Sequence, residues 1–181
     1  LVIVSLALGT YTLSLAASLD QWLIDRIYYQ VGTDLTFEPY VEGAEDTGDA
    51  DWIPTPGDFA NLPRVAAATR VGDYPTTIDL ADGKRVRARF LAIDRLDFPP
   101  VAWFRSDFAD ESLGALMNRL ALLPDGILVP QAFLDLHHLQ VGDQIRMRVT
   151  VEDGLWVDSS FTIAGTYRYF PTAYEDRVTV V

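Results

Sequence analysis

The chain of 181 residues contains no cysteine. Disulfides, thiolate zinc sites and a cysteine nucleophile are therefore excluded. Histidine is scarce: only His137 and His138 occur, side by side. Neighbours on a helix point about 100° apart, so the two cannot converge on one metal. Basic residues are also few, 14 against 26 acidic, for a net charge of −12. That balance argues against nucleic acid, whose phosphates are bound by Lys and Arg. It equally disfavours lying flat on an anionic leaflet. The sequence has no Gly-x-Ser-x-Gly, no glycine-rich phosphate loop, no Walker motif and no His-Glu-x-x-His. No catalytic residue, cofactor site or metal site is assigned. Asp94 and Asp97 are a carboxylate pair of a kind that an acidic chain generates by chance.

Charge is missing from one further place. Leu1 to Leu19 holds no charged residue, close to the ~20 residues that a helix needs to cross a bilayer. Ser5, Gly9, Thr12 and Ala16 form a small-residue stripe of the kind that lets membrane helices approach one another. Beyond Asp20 the run turns amphipathic. Trp22, Tyr28 and Tyr29 stand where an interfacial aromatic belt belongs. Residues 1–30 are thus expected to be the end of a transmembrane helix and a helical stalk. The flank after the run is poor in Lys and Arg, which places it outside the cell. A buried core helix and a secretory signal ending at Ser14-Leu-Ala16 are the competing readings. A signal peptide has no reason to continue into an amphipathic segment. The chain starts at Leu1, and Arg177 to Val181 reads as the middle of a strand. It is therefore expected to be a piece of a longer protein.

Residues 31–181 read as one α+β domain, with strands outnumbering helices. Asp34 to Glu38 alternates like a strand. An acidic stretch over 42–58, with Glu45, Asp46, Asp49 and Asp51, reads as a solvated loop without the spacing of a calcium loop. Arg64 to Leu80 and Arg85 to Asp94 form a hairpin around Asp82-Gly83. Lys84, Arg85, Arg87 and Arg89 lie on its polar face, as charges on the wet side of a sheet do. A helix begins after Glu111-Ser112, with Leu113, Leu116, Met117, Leu120 and Leu123 facing the core. Next come a buried strand over Gly126 to Pro130 and a short helix from Gln131 to His138, with Phe133, Leu134 and Leu136 as its apolar members. Val141-Gly142-Asp143 then makes a tight turn into a strand. Gly165 marks a bulge or close approach. Trp22, Trp52, Trp103 and Trp156 are scattered, as core or interface residues are.

The order of these features resembles the extracytoplasmic domain of the FtsX/MacB-like permeases of ABC transporters. The resemblance rests on Gly126-Ile-Leu-Val-Pro-Gln-Ala-Phe, on Leu139-Gln-Val-Gly142-Asp143-Gln-Ile, on Phe161-Thr-Ile-Ala-Gly165-Thr-Tyr-Arg-Tyr-Phe170-Pro171, and on Ala92-Ile-Asp94-Arg. It spans nearly the whole chain, and its motifs are structural. Pro130 stands where serine is common, and the acidic insertion is unusual. The resemblance implies a multi-pass protein of the cell membrane with a large external domain after its first helix. It implies a partner ABC ATPase subunit in the cytoplasm and a second permease subunit. It implies a lipoprotein, lipid or adaptor protein as the external contact, and no catalysis by this domain. A secreted or singly anchored ligand- or carbohydrate-binding domain is the alternative.

Overall fold

The computed structural model describes residues 2–38, 55–152, 154–174 and 177–181. Helix α1 runs unbroken from Val2 to Val31. Its 30 residues extend about 45 Å at 1.5 Å per residue. None of them is buried, so α1 is not a core helix of this domain. The helix is long and apolar enough to cross a membrane. Gly32 ends it: at φ +81° its N–H donates to the Tyr28 carbonyl at 2.7 Å, a left-handed stop that glycine adopts without strain. The expected strand after it does not form. Residues 32–34 bend, and 35–38 join no ladder. The alternation there has a different cause, because Phe37 packs edge-on against Phe59, 5.2 Å away.

Phe59 lies on the short helix α2, Pro56–Ala60. Asp58 accepts the Thr55 N–H at 2.8 Å and so caps it. The end of the acidic stretch is thus helical, not loop. Glu45, Asp46, Asp49, Asp51 and Trp52 lie outside the described residues.

Six strands follow: β1 Val71–Asp79, β2 Arg85–Ile93, β3 Gly126–Pro130, β4 Gln144–Glu152, β5 Leu155–Tyr167 and β6 Val178–Val180. They form one sheet in the order β3-β5-β4-β1-β2-β6. The hairpin pairs around Gly83 (φ +80°) as expected, although its first strand starts at Val71 rather than near Arg64. The two outer strands then meet. Leu128 N–H donates to the Val181 carbonyl at 2.7 Å, and Val181 N–H donates back at 3.0 Å. This reciprocal antiparallel pair closes the sheet into a six-stranded barrel, a closure that strand patterns alone do not specify. Closure removes the sheet's outer edges.

A barrel this small is filled by its own side chains. Ile78, Ala88, Ile127, Ile145, Met147, Ile163 and Val180 form one core with Val129. Every strand contributes, and Met147 is fully buried at 0% exposure. Phe90 on β2 reaches Phe161 on β5, with ring centroids 5.7 Å apart across two intervening strands. Helix α4, Gln131–His137, closes the barrel with Phe133 and Leu134. Leu136, expected on the apolar side, is exposed. On this two-turn helix, two residues beyond Leu134 lies on the far face.

A second core lies on the barrel's outer wall. Helix α3, Leu113–Leu122, is capped by Ser112, whose hydroxyl accepts from Ala115 N–H. Its Leu113, Leu116 and Met117 share one buried cluster with Leu128, Tyr167 and Leu91. Leu123 lies past its end in extended conformation, and its carbonyl accepts from Gly126 N–H at 2.9 Å. Tyr167 donates its hydroxyl to the Thr179 carbonyl. Burial pushes its phenol well above the ordinary tyrosine range, so it stays protonated.

Candidate functional site: the joint between helix and barrel

The most elaborate side-chain arrangement sits where α1 meets the domain. Asp25, Tyr29 and Gly32 fall at i, i+4 and i+7, which puts them on one stripe of the helix. All three engage the barrel's covering loops. Tyr29 donates its hydroxyl to the Ala173 carbonyl, and its own carbonyl accepts Thr172 N–H at 2.8 Å. The Gly32 carbonyl accepts Trp103 N–H at 2.8 Å. Asp25 pairs with Arg105 at 2.5 Å.

Aromatic rings fill the joint. Tyr28 stacks on Trp103 at 5.8 Å. Tyr29 meets Phe108 at 5.8 Å and Tyr174 at 6.3 Å, both edge-on. Phe108 in turn touches Trp103, Phe104 and Tyr169. Such ring pairs are worth about 0.5–1.5 kcal/mol each beyond the area they bury. Tyr28 and Tyr29 are therefore not free for a membrane-interface belt. Only Trp22 stays exposed there, with Arg26 over its ring at 5.3 Å.

Charge completes the arrangement. Arg105 forks onto Asp107 with two bonds of 2.9 Å and turns its third nitrogen to Asp25. The hydrogen bond from Arg105 holds the Asp107 carboxyl below the usual carboxylate range. Arg89 grips Asp73 bidentately at 2.8 and 2.7 Å and donates to the Thr172 carbonyl at 2.6 Å. Thr172 sits at φ +65°, a left-handed conformation that costs a non-glycine residue about 1–2 kcal/mol. Its N–H holds the helix and its carbonyl holds the β1–β2 hairpin, so one strained residue connects the two.

The Asp25–Arg105 pair is partly exposed, at 25% and 44%. A double-mutant cycle with Asp25→Ala and Arg105→Ala is expected to give a coupling below about 1 kcal/mol. Denaturant titration of the four proteins reads it. A coupling above about 2 kcal/mol would transfer the joint's stability from the rings to the charge pair.

The residues that carry the resemblance divide between two places. Phe170 and Pro171 lie at the joint. Phe170 is 1% exposed, stacked on Phe98 at 5.7 Å and 7° and touching Phe104 and Tyr167. Pro171 is buried, and its Cβ lies 3.5 Å from where a side chain on Gly32 would begin. Gly126, Gly142, Asp143 and Gly165 gather instead around residues 162–165 of β5. Gly142 N–H donates to Ile163 O, and Ile163 N–H donates to Asp143 O. The Asp143 carboxylate accepts Gln140 N–H at 2.8 Å and fixes the turn. Ile127 pairs with Ile163 but Leu128 with Gly165, so Ala164 is the extra residue of a bulge. Gly165 also lies close to its neighbours: a Cβ there would stand 3.2 Å from Leu128 Cδ2 and 3.4 Å from Leu116 Cδ2.

On α1, Gly9 has open space beside it, and Thr12 returns its hydroxyl to the Gly9 carbonyl at 2.9 Å. Ser5 and Ala16 are exposed on the same helix. His137 packs on Phe133 at 4.6 Å, while His138 ends α4 at φ +54°. Asp94 accepts the N–H of Leu96 and Asp97 in its own turn. Among the described residues no group of three His, Asp or Glu gathers as a metal site.

Asp25, Arg105 and Thr172 were missed in sequence. Nothing local marks them, because their partners come from distant parts of the chain. No family model matches the chain, and no curated protein matches it.

Proposed function

We propose that this chain is the extracytoplasmic domain of an FtsX/MacB-like ABC transporter permease, carried on the outer end of its first membrane helix. The observation that carries the reading is the continuous α1. Its apolar part is wholly uncovered by the domain, while its last two turns are fixed to it. An uncovered apolar helix of this length is stable in lipid and costly in water. A helix joined without a hinge passes its movement to whatever it carries. The Phe170-Pro171 segment of the resemblance forms part of that joint, which further supports the assignment.

In this reading the domain is not an enzyme. ATP hydrolysis belongs to a cytoplasmic ABC ATPase subunit, and a second permease subunit packs alongside. The domain binds or moves an extracytoplasmic lipoprotein, lipid or adaptor protein.

The test uses single cysteines, which this stretch otherwise lacks. Leu122→Cys, on an 81% exposed site of the domain, should react with a membrane-impermeant maleimide on intact cells. Leu8→Cys should react only after detergent. The tagged full-length protein should retain a Walker-motif ATPase on affinity resin. Release of the chain into the soluble fraction with both sites labelled would leave the secreted binding domain. Membrane retention without an ATPase would leave the singly anchored one.

A further inference from the structure

Helix α3 and its loops cover the outer wall at β3 and at the ends of β2 and β5 that carry Leu91 and Tyr167. The outward face of β5-β4-β1-β2 around residues 77–79, 85–87, 146–148 and 158–160 is bare, and its composition departs from that of the chain as a whole. Register places Ser160, Arg146, Asp79 and Arg85 in one row across four strands. Asp158, Arg148, Thr77 and Arg87 form the next. These residues alternate with the buried Ile145, Met147, Ile78 and Ala88, so all point outward. Four arginines thus face two aspartates, on a protein of net charge −12.

The pairing is incomplete. Asp158 is gripped by Arg148 at 2.7 and 2.8 Å, and Asp79 takes Arg85 at 3.1 Å. Arg87 and Arg146 make no ion pair among the described residues, although Arg146 lies near enough to help the Arg148 hydrogen bond hold the Asp158 carboxyl below the usual range, and both are exposed. Two strand spacings and one step of two residues separate them, about 12 Å between Cα atoms. One row further along, Trp156 stands half exposed on the same face, with Arg148 over its ring at 5.5 Å.

We propose that this wall binds an anionic polysaccharide. An open, flat face suits a polymer better than an enclosed small molecule. Two guanidiniums outside the ion pairs, on Cα atoms about 12 Å apart, fit carboxylates spread over successive sugars rather than one phosphate. The Trp156 ring offers a stacking face, and Thr77, Thr150 and Ser160 offer hydroxyls to sugar hydroxyls. A nucleic acid, with about one charge per 1.7 Å of duplex, would meet too few cations here and too much repulsion from the rest of the protein. An acidic peptide would use the arginines but not the ring. The inference uses only this wall and does not depend on the permease reading.

The experiment measures binding of the full-length protein in detergent to immobilised polygalacturonate, with neutral dextran and poly-glutamate as comparisons. The expected result is retention on polygalacturonate that weakens with salt, with none on dextran. Reversing both of these charges (Arg87→Glu with Arg146→Glu) should weaken binding at least about tenfold, because two charge-assisted contacts become repulsive. Trp156→Ala should weaken it several-fold without changing the salt dependence. An unchanged melting temperature shows that each variant is folded. Failure of the wild-type protein to bind polygalacturonate would overturn the proposal, as would equal binding by the double reversal. Equal retention on poly-glutamate, with Trp156→Ala indifferent, would overturn it in favour of an acidic protein partner.

Discussion

Phe170→Ala should cost the domain about 3–5 kcal/mol, the range for emptying a buried phenylalanine site. The side chain is 1% exposed and held on three sides, by Phe98, Phe104 and Tyr167. Rings on separate elements cannot all move in to fill the space, so the cavity term should be near its upper end. For a domain of this size the melting temperature should fall by roughly 10 °C. The effect should extend beyond stability. Pro171 and Thr172 follow immediately and hold Gly32 and Tyr29, so the angle between helix and barrel should also become variable. Spin labels on α1 and on the exposed Leu96 site would report it as a broadened distance distribution. A loss below about 1 kcal/mol would mean that the second core repacks freely, and the role given to this ring would be wrong.

Gly165→Val is the second large effect expected, at about 2–4 kcal/mol, above the ordinary cost of overpacking. The first added carbon would already stand 3.2 Å from Leu128 and 3.4 Å from Leu116. Those two leucines are 0% and 1% exposed and have no space to retreat into. Leu128 also carries the reciprocal hydrogen bonds that close the barrel. Displacing it therefore strains the seam as well as the packing. Slowed exchange of the Leu128 and Val181 amides in the wild type, lost in the variant, would locate the damage. Gly142→Ala provides a contrast. Its φ of +99° is strained for alanine, but the space beside it is open, so its cost should stay near 1–2 kcal/mol.

Local chemistry made much of this molecule legible. Ser112 marked a helix start, Asp82-Gly83 marked a hairpin, and Gly165 marked a bulge, each because one residue's conformational freedom or hydrogen-bonding chemistry decides the local structure. What stayed hidden depends on contacts between distant segments. Alternation in Arg85 to Phe90 shows which residues share a face, but not that β4 brings Arg146 and Arg148 to the same wall. The helix pattern through Tyr28 and Tyr29 shows their stripe, but not that Trp103 and Phe108 would occupy it. The same alternation that is right for β2 is misleading at Asp34 to Glu38, where Phe37 packs on a helix instead of joining a sheet. Closure is the extreme case, since a single reciprocal pair between Leu128 and Val181 separates a barrel from an open sheet.

The attachment of α1 has a mechanical consequence. Three of its fixed points, Asp25, Tyr29 and Gly32, share one stripe, with Tyr28 on Trp103 beside it. Turning the helix by one residue step, about 100°, would carry all three off their partners together. A smaller rotation that leaves them engaged must take the barrel along, like a crank on its shaft. The arc swept then grows with distance from the helix axis, so a few degrees of twist at Asp25 become a much wider sweep at the far strands.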